Sequence, residues 1–216
     1  MRRCAPAAAA TRRWRTPEDA RHAGRDTAGL IGPNAILQLL PVLERELGAA
    51  EAAALIRRAG IAALPDGHAM IPEGEAAALH RRLRAEHPAR APRLAAEAGA
   101  RTADYLLAHR IPSPVRGILR HLPPAASAAI LSRAIARNAW TFAGSGTFRR
   151  EGAWRFAIAA NPLVAGEFSR SPLCQWHAAV FGRLYRELVA PDCLCTETRC
   201  TAQGRGAPCE FVITRA

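Results

Sequence analysis

Five of the six cysteines in this 216-residue chain fall in one stretch, CQWHAAVFGRLYRELVAPDCLCTETRCTAQGRGAPCEFVI, over 174–213. The same stretch holds an adjacent Trp176 and His177, and a carboxylate three residues ahead of a thiol, Glu197 and Cys200. Cys209 follows just before an apolar run. Thiols gathered beside a carboxylate and an imidazole suit a soft metal ion better than cysteines scattered through a core do. Other arrangements stay open on sequence alone. Cys193 and Cys195 alternate to the same side of a strand as Glu197 and would offer a rival thiol set. All of these cysteines could also be buried simply as small apolar side chains. Glu197 and Cys200, an odd three apart, need a strand end or a turn before both can face one ion. His177, in an amphipathic segment, reads as a hydrogen-bonded residue at the rim of the site, with ligation as the alternative.

These residues need elements to position them. Trp176, Val180, Phe181, Leu184 and Leu188 recur at helical spacing, so 174–188 is expected as an amphipathic helix. Segments 192–202 and 208–214 read as a closing pair of strands joined by QGRGAP. Upstream, TFAGSGTFRREGAWRFAIAAN alternates and carries aromatics, which predicts a hairpin turning at Arg150-Glu151-Gly152. Gly144 and Gly146, placed inside its first strand, predict a bulge or the close approach of a ligand or backbone. Trp140, Phe142, Phe148, Trp154 and Phe156 concentrate here in a chain that is 6% aromatic. Each is expected to pack sheet on helix. Together with Trp176 and His177 they could line a pocket for a flat ligand.

The N-terminal half reads as helical. Pro33 suits a first helical position, Ile36 to Leu47 form an apolar face, and Pro41 is expected to kink the helix. Further helices are expected over 49–59, 74–86, 92–109 and 127–139, with a short one between the prolines of RIPSPVRGILRHLPP. His68 reads as a surface loop residue; His109 and His121 sit near helix ends, where a cation is favoured. The expected fold is α+β: a helical N-terminal half packed on an antiparallel sheet, with a Cys-rich metal corner near the C-terminus. Residues 1–28, rich in Arg and Ala without apolar period, read as a disordered tail or a start placed too early, and 29–216 as a single domain.

Composition bounds the function. The formal charge is +12, and all 30 basic residues are Arg. Without lysine there is no Schiff base and no Walker-type phosphate lysine. No finger, homeodomain or RNP pattern accompanies the charge, so nucleic acid is not an expected partner. No run is long and apolar enough for a transmembrane helix, and no apolar leader follows the first arginines. Cysteines clustered at one end of a chain this long do not make a disulfide scaffold, and a reduced, cytoplasmic protein is expected. No G-x-G-x-x-G follows a strand, and no ferredoxin-like Cys run is present.

Five segments carry a family resemblance: GPNAI at 32–36, TADYLLAHRIP at 102–112, AWTFAGSGTF at 139–148, CQWHAAVFGRLYREL at 174–188 and ETRCTAQGRGAPCEF at 197–211. On these the chain resembles the 4-vinyl reductase domain family, and within it the branch of bacteriochlorophyll biosynthesis, over nearly everything after residue 29. The resemblance implies a small-molecule-binding α+β module, dimeric as a rule. In the sensor branch zinc is held by three Cys and one Glu, which fall here on Cys174, Glu197, Cys200 and Cys209. Such a closed donor set implies a structural zinc.

For function the resemblance implies either a tetrapyrrole-binding carrier or accessory factor, acting on a chlorophyllide or Mg-porphyrin intermediate, or a reductase of the divinyl pigment's vinyl group. Since no reductant site is visible, the carrier is the preferred expectation, with Arg110, Arg116 and Arg120 as candidate partners of the pigment's propionates. His177 could approach the pigment's magnesium. Expected partners are the bacteriochlorophyll precursor, other enzymes of that pathway and a second copy of the chain, at or near the photosynthetic membrane. A ligand-sensing regulator is the least expected reading, because only two residues follow Thr214 and the sensors append further domains.

Overall fold

A computed structural model describes residues 29–204 and 206–216; the tail expected over 1–28 lies outside the described residues. The chain opens with β1 (Leu30–Ile31), α1 (Asn34–Leu37), α2 (Leu40–Leu47) and α3 (Ala49–Arg58). There follow β2 (Ile71–Pro72), α4 (Glu73–Glu86), α5 (Ala91–His109), α6 (Ser113–His121) and α7 (Pro124–Arg137). After a single turn, α8 (Trp140–Ala143), come β3 (Thr147–Arg150), β4 (Arg155–Ala159), α9 (Gln175–Leu188), β5 (Cys193–Arg199) and β6 (Cys209–Arg215). Short 3-10 turns stand at Pro162–Val164 and Thr201–Gln203.

The helices form where apolar residues recur every three to four positions, and their ends follow local chemistry. Pro41 does more than kink a helix: it sits in the first turn of α2 and separates it from α1, since proline there gives up an N–H that would have no partner. Gly48, at φ +88°, lets α2 turn into α3.

The main sheet is antiparallel with strand order β3-β4-β6-β5. Its inner face offers Phe156, Ile158, Phe211 and Ile213, and α9 lays Trp176, Val180, Phe181, Leu184, Tyr185 and Leu188 over that face. Burying each such side chain is worth about 2 kcal/mol. Helix α5 covers the other side of α9. Gly99 brings the two backbones so close that a Cβ there would stand 2.2 Å from the Trp176 carbonyl oxygen.

One expected strand is different. Trp140 and Phe142 lie on α8 rather than in the hairpin, whose first strand begins only at Thr147. Gly144 and Gly146 therefore form no bulge. Gly144 takes φ +56° with Glu73 Oε2 where a Cβ would be, and Gly146 packs against the carbonyl oxygens of Ala143, Ala159 and Ala160. The close approach is of protein to protein: Glu73 at the start of α4 accepts from Ser145 N–H (2.7 Å) and Ser145 Oγ–H (2.6 Å). This tie holds the helical half against the end of the sheet where the cysteines gather. Among the described residues no helix is long and apolar enough to cross a membrane.

Candidate metal centre

Four elements deliver one donor each. Cys174 is the residue that caps α9, and Glu197 lies near the end of β5. Cys200 opens the 3-10 turn after β5, and Cys209 is the first residue of β6, opposite Ile158 of β4. The odd spacing of Glu197 and Cys200 is resolved by a β-bulge. Glu197 pairs with Phe211 and Arg199 with Glu210, so Thr198 is the extra residue on β5. One extra residue flips the alternation of the strand, and Cys200 returns to the buried side that Glu197 occupies.

The three sulfurs form a near-regular triangle: 3.3 Å from Cys174 to Cys209, 3.8 Å from Cys174 to Cys200 and 3.7 Å from Cys209 to Cys200. All three thiols are free, and the four donor atoms lie within 4.8 Å of one another. Every one of these residues is buried. Glu197 Oε2 accepts from the Cys174 N–H at 2.6 Å, while Oε1 is buried with no hydrogen-bond partner. A buried carboxylate oxygen without a partner is costly, and one that points into a cluster of thiols is satisfied by a cation. The cluster could hold a metal ion, and its donor chemistry suits a soft one.

The rival thiol set does not assemble. Cys193 and Cys195 share the Glu197 side of β5, as their alternation requires, but they lie further along the strand and outside the four-residue cluster. The Cys195 Cβ faces Gly182 of α9, where a glycine leaves it room.

The aromatic residues are brought together, but onto one another. Phe142 meets Phe148 (5.3 Å between ring centres) and Phe181 (5.6 Å), Phe156 meets Phe181 (5.1 Å), and Phe181 meets Phe211 (5.3 Å). Trp154 packs on Tyr185. Phe156, Trp176 and His177 are buried, whereas Trp140, Phe142, Phe148 and Trp154 keep part of their surface in solvent. His177 is deeper than a rim: its Nε2 lies 3.2 Å from the Phe142 carbonyl oxygen, and its Nδ1 is buried without a partner. Two shallow cavities, of about 250 and 270 Å³, lie elsewhere. Arg120 lines the first and Arg110 and Arg116 the second. Arg116 donates to the Leu107 carbonyl, and Arg120 to Glu187 (2.9 Å).

The 4-vinyl reductase domain family matches residues 154–215, which include all four donors. A bacteriochlorophyll synthase 23 kDa chain of Cereibacter sphaeroides is 48% identical over 192 residues, covering 88% of this chain and 93% of its own. A protein of the same name in Rhodobacter capsulatus is 44% identical over 193 residues, with 88% and 90% covered. This chain belongs to their family, a BchJ-like branch of the 4-vinyl reductase domain proteins. In shape it is similar to the Fe(II) unliganded H-NOX protein from K. algicida (TM-score 0.54) and to a point mutant of that protein (0.56). Both are 13% identical, over 86% of this chain and 97% of theirs, a likeness of fold.

Electrostatics of the cysteine corner follow from its burial. Burial, foremost, pushes the Glu197 carboxyl up from 4.5 to about 7, against the pull of the Cys174 N–H and with the help of the Cys209 sulfur. Burial likewise raises the Cys174 thiol. Cys209 moves the other way, because the Cys174 and Cys200 thiols and Thr201 all donate to its sulfur. Of the three sulfurs it is the one set to ionise first. Sequence reasoning missed Asn161 and Thr201, whose polar groups contact these sulfurs. Asn161 stands in the turn signal Asn-Pro, which marks a change of direction and nothing of what the side chain meets.

Proposed function

We propose that this chain is an accessory protein of bacteriochlorophyll biosynthesis. It binds a tetrapyrrole intermediate and hands it to, or shields it for, the enzymes of the pathway, on a fold locked by a structural zinc ion. The observation that carries the pathway is the 48% identity to a bacteriochlorophyll synthase 23 kDa chain over 88% of the sequence.

Zinc is supported by the spacing of the sulfurs. A tetrahedral ion with Zn–S bonds of about 2.3 Å sets its sulfurs about 3.8 Å apart. The observed 3.3–3.8 Å needs little adjustment. Cys174, Cys200, Cys209 and Glu197 complete four-coordination, so the ion would keep no position for substrate. Bound there, zinc supplies cross-linking of α9, β5 and β6; being redox-inert, it supplies no electrons.

The pigment would meet the half-exposed rings of Trp140, Phe142, Phe148 and Trp154, or the outer face of α6. There Val115 and Ile118 are 41% and 60% exposed on the same helix as Arg116 and Arg120, a pairing of apolar and cationic groups that fits a macrocycle with propionates. The test is titration of metal-analysed protein with divinyl protochlorophyllide, followed by pigment analysis with NADPH, flavin or ferredoxin added. Saturable binding with unchanged pigment is the expected result. Conversion to the monovinyl product would establish the reductase instead, and no binding would overturn the pigment reading.

A further inference from the structure

Three thiolates and one carboxylate bring four negative charges to a dication, so a filled Cys174-Glu197-Cys200-Cys209 centre retains two uncompensated charges away from water. Such a centre is stable only if nearby hydrogen-bond donors share that charge. Asn161 is built to do this. It is fully buried in the turn that leads from β4 into Pro162–Val164. Its Nδ2 lies 3.3 Å from Cys174 Sγ and 3.6 Å from Cys209 Sγ. The Leu163 N–H donates to Oδ1 at 3.1 Å, which settles the orientation of the amide: the oxygen faces a donor, and the two N–H bonds face two sulfurs.

The local backbone is shaped around this placement. Ala160, immediately before Asn161, is the one non-glycine residue at positive φ (51°) among the described residues, a conformation that disfavours a Cβ. Gly146 is packed under the same turn, where a Cβ would stand 2.9 Å from the Ala159 oxygen and 3.0 Å from that of Ala160. On the far side of Cys209, the Thr201 N–H and Oγ both lie 3.4 Å from the sulfur.

We propose that Asn161 is the positioning residue of the metal centre. Its amide holds the Cys174 and Cys209 sulfurs in register for one ion and draws off their charge, with Thr201 as a second, weaker support for Cys209. This rests on the reading of the cluster as a metal site and adds a residue to it.

The test uses Asn161→Asp, Asn161→Ala and Thr201→Val, with two readouts: zinc affinity by chelator competition, and the thiolate-to-metal charge-transfer band of the cobalt(II)-substituted protein. Asn161→Asp keeps the oxygen that receives the Leu163 N–H but turns a carboxylate toward two thiolates. Zinc affinity is expected to fall about 10–100-fold and the charge-transfer band to move to longer wavelength. Asn161→Ala should do the same, with an added loss of stability from the missing turn cap. Thr201→Val, on a half-buried residue that keeps its backbone donor, should move the band in the same direction by less, and it reports even if the Asn161 variants fail to fold. Wild-type affinity and an unmoved band in Asn161→Asp, or in Thr201→Val should that variant alone fold, would overturn the proposal and leave Asn161 a turn cap. A wild-type protein that takes up neither zinc nor cobalt would overturn the metal reading itself, and this proposal with it.

Discussion

Replacing Glu197 with glutamine should have opposite effects on the metal-free and metal-loaded protein. In the metal-free fold the carboxyl is held at about 7 against 4.5 in the unfolded chain, chiefly by burial. A group whose folded value is raised binds extra protons in the fold, so the stability it confers is present below pH 4.5 and is lost as pH rises to about 7. At about 1.4 kcal/mol for each pH unit, the loss amounts to about 3 kcal/mol and is complete above neutrality. Glutamine keeps an acceptor for the Cys174 N–H and cannot ionise. The metal-free Glu197→Gln protein should therefore gain on wild type as pH rises from 5 to 8, by up to about 3 kcal/mol.

His80 and His177 complicate the absolute curves. Burial holds them down at about 3 and about 4, so both cost stability as pH falls below 6.5. They do so equally in both proteins and cancel in the difference. Urea denaturation of wild type and variant at pH 5, 6, 7 and 8 in excess chelator measures that difference. With zinc restored the order should reverse at pH 8, because wild type keeps four donors and the variant three strong ones. Parallel curves in chelator, with no divergence between pH 5 and 8, would refute the account of Glu197.

Cys200→Ser and Cys209→Ser should each reduce bound zinc, seen by metal analysis, and bring the melting temperature of the loaded protein down to that of chelator-treated wild type. Gly99→Ala, which in an open helix would stabilise by about 0.5–1 kcal/mol, should destabilise by about 2 kcal/mol in urea, since the new methyl collides with the Trp176 carbonyl and the Ala179 side chain. Pairing through the exposed edges of β3 or β5 would make the protein a homodimer, which light scattering on purified protein at two concentrations checks; a monomer at both removes that expectation.

Much of the helical half was legible because burial imposes a period on the sequence: α4, α5 and α9 lie within a residue or so of where their apolar positions place them. The four donors were legible as a group through residue type and family pattern. What could not be read depends on contacts distant in sequence. Trp140, Thr141 and Phe142 have the side chains of a strand, yet the Ala143 N–H reaches the Ala139 oxygen (2.8 Å) and Thr141 Oγ bonds back to Asn138, so local hydrogen bonds close a helical turn instead. The bulge at Thr198 exists only relative to β6, and no property of Thr198 announces it. The aromatic residues were recognised as a set, but whether rings face each other or a cavity is decided by the placement of α9 over the sheet.

The strand order β3-β4-β6-β5 also has a consequence for biosynthesis. Strand β6 lies between β4 and β5, although β5 precedes it in the chain. During translation β5 emerges with no partner beside it, and β4 can pair only with β3 until residues 209–215 have cleared the ribosome. Cys174 and Cys200 are by then already outside, reduced and without Cys209 to complete the set. The nascent protein thus passes through an interval in which its thiols are exposed to oxidants and to competing metals. The rate at which that last strand is threaded into the sheet sets how long the interval lasts.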